Sequence, residues 1–93
     1  MTQRPSLLET DQELLELLYN DPRQTPSMLL EEAGSTESKQ YVQDRLKHLR
    51  DHNLAQRPDR GIYELTERGG RAAENLDRYR GNDREAFWNR VDN

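Results

Sequence analysis

The fold is decided by residues 25–69, whose sequence is TPSMLLEEAGSTESKQYVQDRLKHLRDHNLAQRPDRGIYELTERG. Thr25-Pro26 is typical of a helix start and Gly34 of a helix end, so the stretch opens with a short predicted helix. A second helix is predicted over Glu37–His52, where apolar residues recur at helical spacing. Because so few residues follow Gly34 before this helix begins, the pair predicts a helix-turn-helix.

The helix Glu37–His52 has two distinct faces. Ser35 or Thr36 is expected to cap its start. One narrow arc carries apolar side chains, which we expect to pack in the core: Val42, Leu46 and Leu49. The outward arc carries polar and charged side chains: Gln40, Asp44, Lys47 and Asp51.

A change of periodicity follows this helix. Leu54–Arg57 and Ile62–Leu65 each predict a short strand, and Pro58-Asp59-Arg60-Gly61 between them has the composition of a turn. Two short strands joined by a four-residue loop predict a β-hairpin.

Further helices are predicted on both sides. Asp11–Tyr19 has an apolar stripe at helical spacing, and Glu67–Arg80 follows a capping Thr66. Gly69-Gly70 weakens the first turn of that helix. Asn82, three residues before an acidic residue, has the capping-box pattern and predicts a last short helix. The predicted fold class is mainly α with a small β-hairpin.

A chain of 93 residues is the length of one domain, with a predicted core at about 11–80. Apolar residues make up only 31% of it, so either part is disordered or a partner subunit completes the burial. We favour a partner, which places the apolar residues of segments 1–10 and 81–93 at a subunit interface: Leu7, Leu8, Phe87, Trp88 and Val91. The alternative is that the last helix folds back on its own domain.

Composition and motifs argue against several functional classes. The chain has no cysteine, so a disulfide or thiolate metal site is excluded. His48 and His52 are spaced like ligands on one helix face, but the HExxH pattern is missing, and we expect no metal and no cofactor. No phosphate loop or nucleophile spacing suggests an enzyme. Without an apolar run of membrane length or a signal peptide, a cytoplasmic protein with no membrane partner is expected.

The formal net charge is −4, which is the wrong sign for contact with phosphates. Of the fourteen basic residues, however, only Lys39 and Lys47 are lysines. Many arginines, few lysines and abundant acids resemble the proteins of salt-loving archaea. High salt screens charge repulsion within a few ångströms, so acidity there promotes solubility and does not oppose DNA binding. The alternative is an acidic domain that binds protein.

Three stretches carry a resemblance to a known family: Thr25–Gly34, the pattern from Val42 to Leu54, and Gly61–Gly69. Together they resemble winged-helix regulators of the multiple-antibiotic-resistance-regulator type, and more closely the small phage-repressor-like winged-helix proteins of haloarchaea. The resemblance implies a winged helix-turn-helix with a three-helix core plus C-terminal helices. It also implies a homodimer whose recognition helices lie about 34–36 Å apart over a palindrome.

On this basis we expect a sequence-specific regulator of transcription that binds double-stranded DNA, acting by default as a repressor. The N-terminal half of the third helix is expected to read bases through Ser38, Lys39, Gln40 and Gln43. Wing and backbone contacts are assigned to Arg57, Arg60, Lys47 and Arg45. Arg45 has a second interpretation, a tie to Glu31 or Glu32. The rival function is a protein–protein interaction module in a transcription or replication assembly, and no small-molecule effector is indicated.

Overall fold

The computed structural model describes residues 6–21, 23–33 and 38–92. It is mainly helical with one small antiparallel hairpin, which confirms the predicted coarse fold class. In chain order the elements are α1 (Glu9–Asn20), α2 (Pro26–Ala33), α3 (Lys39–Asp51), β1 (Ala55–Asp59), β2 (Ile62–Leu65), α4 (Glu67–Glu74), α5 (Leu76–Arg80) and α6 (Arg84–Asp92).

Local hydrogen bonds set where α1 and α3 begin. The Leu8 amide donates to the Asp11 carboxylate at 2.9 Å, so α1 begins two residues earlier than predicted. At α3, Ser38 is extended and its hydroxyl accepts from the Tyr41 amide at 3.1 Å. The cap is therefore Ser38, and α3 begins at Lys39 rather than at the predicted Glu37. The predicted turn over residues 34–36 lies outside the described residues.

The hairpin is longer on its first strand than predicted. β1 extends through Pro58 to Asp59, which pairs with Ile62 across a turn at Arg60-Gly61, where Gly61 has a φ of 75°. The pairing is irregular between Gln56 and Asp59. This irregularity accommodates Pro58, which has no amide hydrogen to donate to a regular ladder.

A third piece of extended chain joins the hairpin. Gln24, just before α2, forms an antiparallel bridge with Tyr63 of β2, through N···O distances of 3.0 and 2.8 Å. The Gln24 side chain is fully buried and donates to the carbonyls of Leu17 and Asp21. The bridge therefore fixes the start of α2 beside the hairpin, a contact that sequence periodicity did not predict.

The predicted helix Glu67–Arg80 is two helices, α4 and α5, separated at Asn75. The Asn75 side chain donates to the Arg71 carbonyl at 2.8 Å, which offers the backbone an alternative to a continuous helix. The capping assignment for α6 is also corrected. Asn82 has a left-handed φ of 66°, and the Asp83 carboxylate accepts from the Ala86 amide at 3.3 Å.

One hydrophobic core includes both ends of the described chain. Leu7, Phe87, Trp88 and Val91 are at most 4% exposed and belong to the same buried cluster as the apolar residues of α1, α3 and α4, with α6 packed on α4 and α5. This corrects their assignment to a subunit interface and extends the core beyond 11–80, because α6 folds back onto its own domain. Of the five predicted interface residues, Leu8 is exposed, at 46%.

Within the described ranges, none of the helices combines the length and the apolar character needed to cross a membrane.

Candidate nucleic-acid interface

A polar groove with a volume of about 710 Å³ lies between the start of α2, one flank of α3 and the hairpin. Three elements therefore contribute to one surface. Its lining residues are Thr25, Pro26, Ser27, Lys39, Gln40, Gln43, Asp44, Lys47, Arg50, Arg57, Gly61 and Tyr63. Three of the four predicted base-reading residues, Lys39, Gln40 and Gln43, are among them.

Helical geometry explains why α3 supplies half of this lining. Gln43, Lys47 and Arg50 follow one another at spacings of four and three residues, which places them on one flank of a helix. Leu46 and Leu49 lie on the neighbouring face and are fully buried. The apolar face therefore orients the polar flank toward the groove.

Arg50 is the groove-lining cation of α3 that the sequence interpretation did not name. Base reading was expected from the N-terminal half of the helix, and Asp51 was placed on the outward arc beyond it. Asp51 does not line the groove, whereas Arg50 does. Adjacent residues differ by about 100° around a helix, so the cationic flank extends along the whole of α3. The spacing from Gln43 through Lys47 was the signal that could have identified Arg50.

The opposite wall of the groove comes from the hairpin and α2. Arg57 of β1 and Tyr63 of β2 line it, and the Gln24–Tyr63 bridge draws the start of α2 to the same place. Thr25 caps α2 by accepting from the Met28 amide at 3.2 Å. Thr25, Ser27 and Tyr63 entered no predicted site, because their proximity to α3 depends on that long-range bridge.

The charge of the groove is opposite in sign to that of the chain. Its lining includes four cations, Lys39, Lys47, Arg50 and Arg57, and one carboxylate, Asp44. Within the described part of the chain, none of these four forms an ion pair. The Asp44 carboxylate accepts from the Gln40 side-chain amide at 3.0 Å. A protein with a net charge of −4 therefore has a locally cationic surface here.

Two predicted contact residues are exposed outside this lining. Arg60 is in the hairpin turn, where its backbone amide donates to the Asp59 carboxylate at 2.8 Å. Ser38 uses its hydroxyl oxygen as the cap acceptor of α3. Arg60 is therefore at the end of the hairpin, and Ser38 at the start of the helix.

Arg45, which was predicted to contact the DNA backbone or to tie the third helix to the second, lies outside the groove lining and forms an ion pair with α1. Its Nε and Nη2 atoms donate to the two carboxylate oxygens of Asp11 on α1, at 2.7 and 2.5 Å. Asp11 is fully buried, and its hydrogen bond raises the pKa of Arg45 above the ordinary value. The alternative tie to Glu31 is not formed, and the side chain of Glu32 lies outside the described residues. The pair ties α3 to α1 on the flank away from the groove.

The histidine pair lies near this ion pair. The rings of His48 and His52 meet edge to face with centroids 4.7 Å apart, and His48 Nε2 is buried without a hydrogen-bond partner. Burial lowers the pKa of His48, and the neighbouring Arg45 lowers it further. Over residues 6–21, 23–33 and 38–92, no group of three or more His, Cys, Asp or Glu side chains is placed to hold a metal ion.

The groove is thus a cationic surface on an acidic chain. Searches of protein-family models, curated proteins and solved structures each returned no match to this chain.

Proposed function

We propose that the chain is a winged helix-turn-helix domain that binds double-stranded DNA, with α3 in the major groove and the β1–β2 hairpin as its wing. The single observation that carries this proposal is the groove, which collects unpaired cations from α3 and the hairpin on an otherwise acidic protein. Phosphate contacts require such cations, and an acidic chain has no general reason to concentrate them.

The shape and chemistry of α3 suit base reading. Its 13 residues span about 20 Å, and a single helix fits the major groove, which is about 12 Å wide. Gln40 and Gln43 offer the side-chain amide that pairs with adenine, and Lys39 can donate to guanine. These side chains lie in the first turns of α3, the part that enters the groove in helix-turn-helix proteins.

The remaining cations are suited to the DNA backbone. Lys47 and Arg50 continue along α3, Arg57 is on the facing strand, and Arg60 is in the hairpin turn. Together, the cations of this flank of α3 and of the hairpin can contact phosphates, which fixes orientation without specifying sequence.

The proposed regulatory role rests on occupancy. A domain that occupies a promoter blocks polymerase, so we propose a repressor. We propose a homodimer on the strength of the family resemblance, and Leu8 is the exposed member of the interface first predicted. A dimer reads a palindrome, so the symmetry of the bound sequence tests it.

The experiment is selection of bound duplexes from a random DNA pool at molar potassium chloride. The parent protein is compared with the double variant Lys47→Ala/Arg57→Ala. Its matched control is Arg78→Ala/Arg90→Ala, which removes the same charge from exposed residues outside the groove lining.

We expect an enriched consensus with the parent and the control, and none with the groove variant. Gln43→Ala should then cost about 1–3 kcal/mol of binding on the selected site only. Absence of enrichment with the parent would refute the proposal and favour the protein-interaction module, for which the net acidity argues.

A further inference from the structure

The base-reading flank of α3 faces outward only while the helix keeps one rotation about its own axis. Its apolar anchors, Val42, Leu46 and Leu49, span an arc of only about 60° at 100° per residue. A rotation of about 20° changes their burial little, because apolar contact is not directional. The same rotation moves a side-chain tip, about 6 Å from the axis, by about 2 Å. Hydrogen bonds to base edges do not survive that displacement.

A directional contact on the other flank limits this rotation. Arg45 lies about 100° around the helix from Leu46, on the side away from Gln43. Its guanidinium binds both oxygens of Asp11, at 2.7 and 2.5 Å. Asp11 is itself fixed, because it is fully buried and also accepts from the Leu8 amide at the start of α1.

We infer that Asp11 and Arg45 are positioning residues that fix the rotation of α3, and thereby the register in which Gln40 and Gln43 meet base edges. A guanidinium–carboxylate fork constrains direction as well as distance. Apolar side chains of similar volume retain the stability of a buried pair without its directional constraint. The effect on DNA reading rests on the proposed function, whereas the fixed rotation is a property of the free protein.

The test uses the double variant Asp11→Leu/Arg45→Met, which removes the directional ion pair but keeps apolar packing at both positions. The matched control is Glu16→Leu/Arg80→Met, which replaces an ion pair of 2.6 Å that joins α1 to α5 and is 45% exposed on each side. Melting temperature, salt dependence of binding and the affinity ratio between the selected duplex and a scrambled duplex are measured for both.

We expect the Asp11→Leu/Arg45→Met variant to remain folded, with its melting temperature lowered only by loss of the cap acceptor for the Leu8 amide, and to bind scrambled DNA with unchanged salt dependence. Its selectivity ratio should fall at least about tenfold, because side-chain contacts to base edges are lost. The control should keep the parent ratio. An unchanged ratio in the Asp11→Leu/Arg45→Met variant overturns the inference.

A second measurement does not depend on DNA. The chain has no cysteine, so Asn20→Cys and Asp44→Cys accept two spin labels that report the position of α3 relative to α1. We expect the distance distribution to shift or broaden by about 2 Å in the Asp11→Leu/Arg45→Met background, as the helix radius requires. An unchanged distribution overturns the inference even if the parent binds no DNA, a result that would refute only the proposed function.

Arg45→Lys supplies the same readouts if the double variant does not fold. It keeps the charge but lacks the planar fork, so it should retain the fold and lose selectivity. Parent-like selectivity with an unchanged label distance in Arg45→Lys also overturns the inference.

Discussion

The two flanks of α3 use their cations in opposite ways. On the groove flank, Lys47 and Arg50 form no ion pair with any described residue and remain accessible to a ligand. On the other flank, Arg45 is bound by a buried carboxylate. The same division extends through the domain, since Arg68, Arg71 and Arg80 are all bound to carboxylates or carbonyls away from the groove. The number of arginines therefore says little about DNA binding until their partners are known.

The largest effect that sharpens this comparison is expected from Asp11→Ala. It leaves the guanidinium of Arg45 mostly buried without its partner, which should lower the free energy of unfolding by about 3 kcal/mol. Chemical denaturation measures the change. The control Glu16→Ala breaks an exposed pair and should cost less than about 1 kcal/mol. Equal losses in the two variants would remove the distinction between buried and exposed arginine pairs.

The next effect tests how closely the side away from the groove is packed. A Cβ on Gly69 would lie 1.7 Å from the Leu54 carbonyl oxygen, whereas one on Gly70 meets nothing within 4 Å. Gly69→Ala should therefore destabilise the domain by about 2–3 kcal/mol through overpacking. Gly70→Ala should stabilise it by up to about 1 kcal/mol, because alanine favours the helix. Thermal denaturation of both variants measures these changes. A Gly69→Ala protein as stable as the parent would contradict the close approach of α4 to the Leu54 carbonyl.

Arg50→Ala tests the groove flank with a smaller effect on stability. Because Arg50 has no ion-pair partner among the described residues, the free energy of unfolding should change by no more than about 0.5 kcal/mol. The slope of log affinity for DNA against log salt should fall by about one. Arg78→Ala, outside the groove lining, should leave that slope unchanged. A large loss of stability with Arg50→Ala would place this residue with the structural arginines.

The smallest effect is a pH dependence from His48, next to the Arg45–Asp11 pair. Burial lowers its pKa in the folded protein, so the unfolded chain binds the proton more readily. Its contribution to stability is therefore present above about pH 6.5 and is lost as the pH falls through the lower folded-state pKa. Denaturation between pH 7.5 and about pH 5 should show this loss in the parent and in His52→Gln. In His48→Gln the loss should be smaller, and an identical loss there would exclude His48 as its source.

Much of the secondary structure could be predicted because its signals are local. Thr25-Pro26, Thr66 and the apolar spacing of Val42, Leu46 and Leu49 act within one or two turns of chain. The predicted helix boundaries were wrong where a polar side chain forms a local hydrogen bond with the backbone. Asn75 divides the predicted fourth helix in this way, and Asp83 replaces Asn82 as a cap.

The candidate site was only partly predictable. Lys39, Gln40 and Gln43 were predicted because they are polar side chains in the N-terminal half of the third helix, the part that enters the major groove in helix-turn-helix proteins, and all three line the groove. Arg50 was missed because of the neighbouring Asp51, although helical spacing could have separated the two.

By itself the sequence determined the helices, the hairpin and the polar flank of α3, because hydrogen-bonded turns and hydrophobic periodicity depend on neighbouring residues. Only the tertiary structure decided which cations are free. Arg45 meets Asp11 across 34 positions of chain, and Gln24 meets Tyr63 across a comparable gap. The terminal residues Leu7 and Phe87 likewise complete the core of their own domain. Such partners are chosen by packing in three dimensions, where burial makes a charge or a polar group costly unless it is paired.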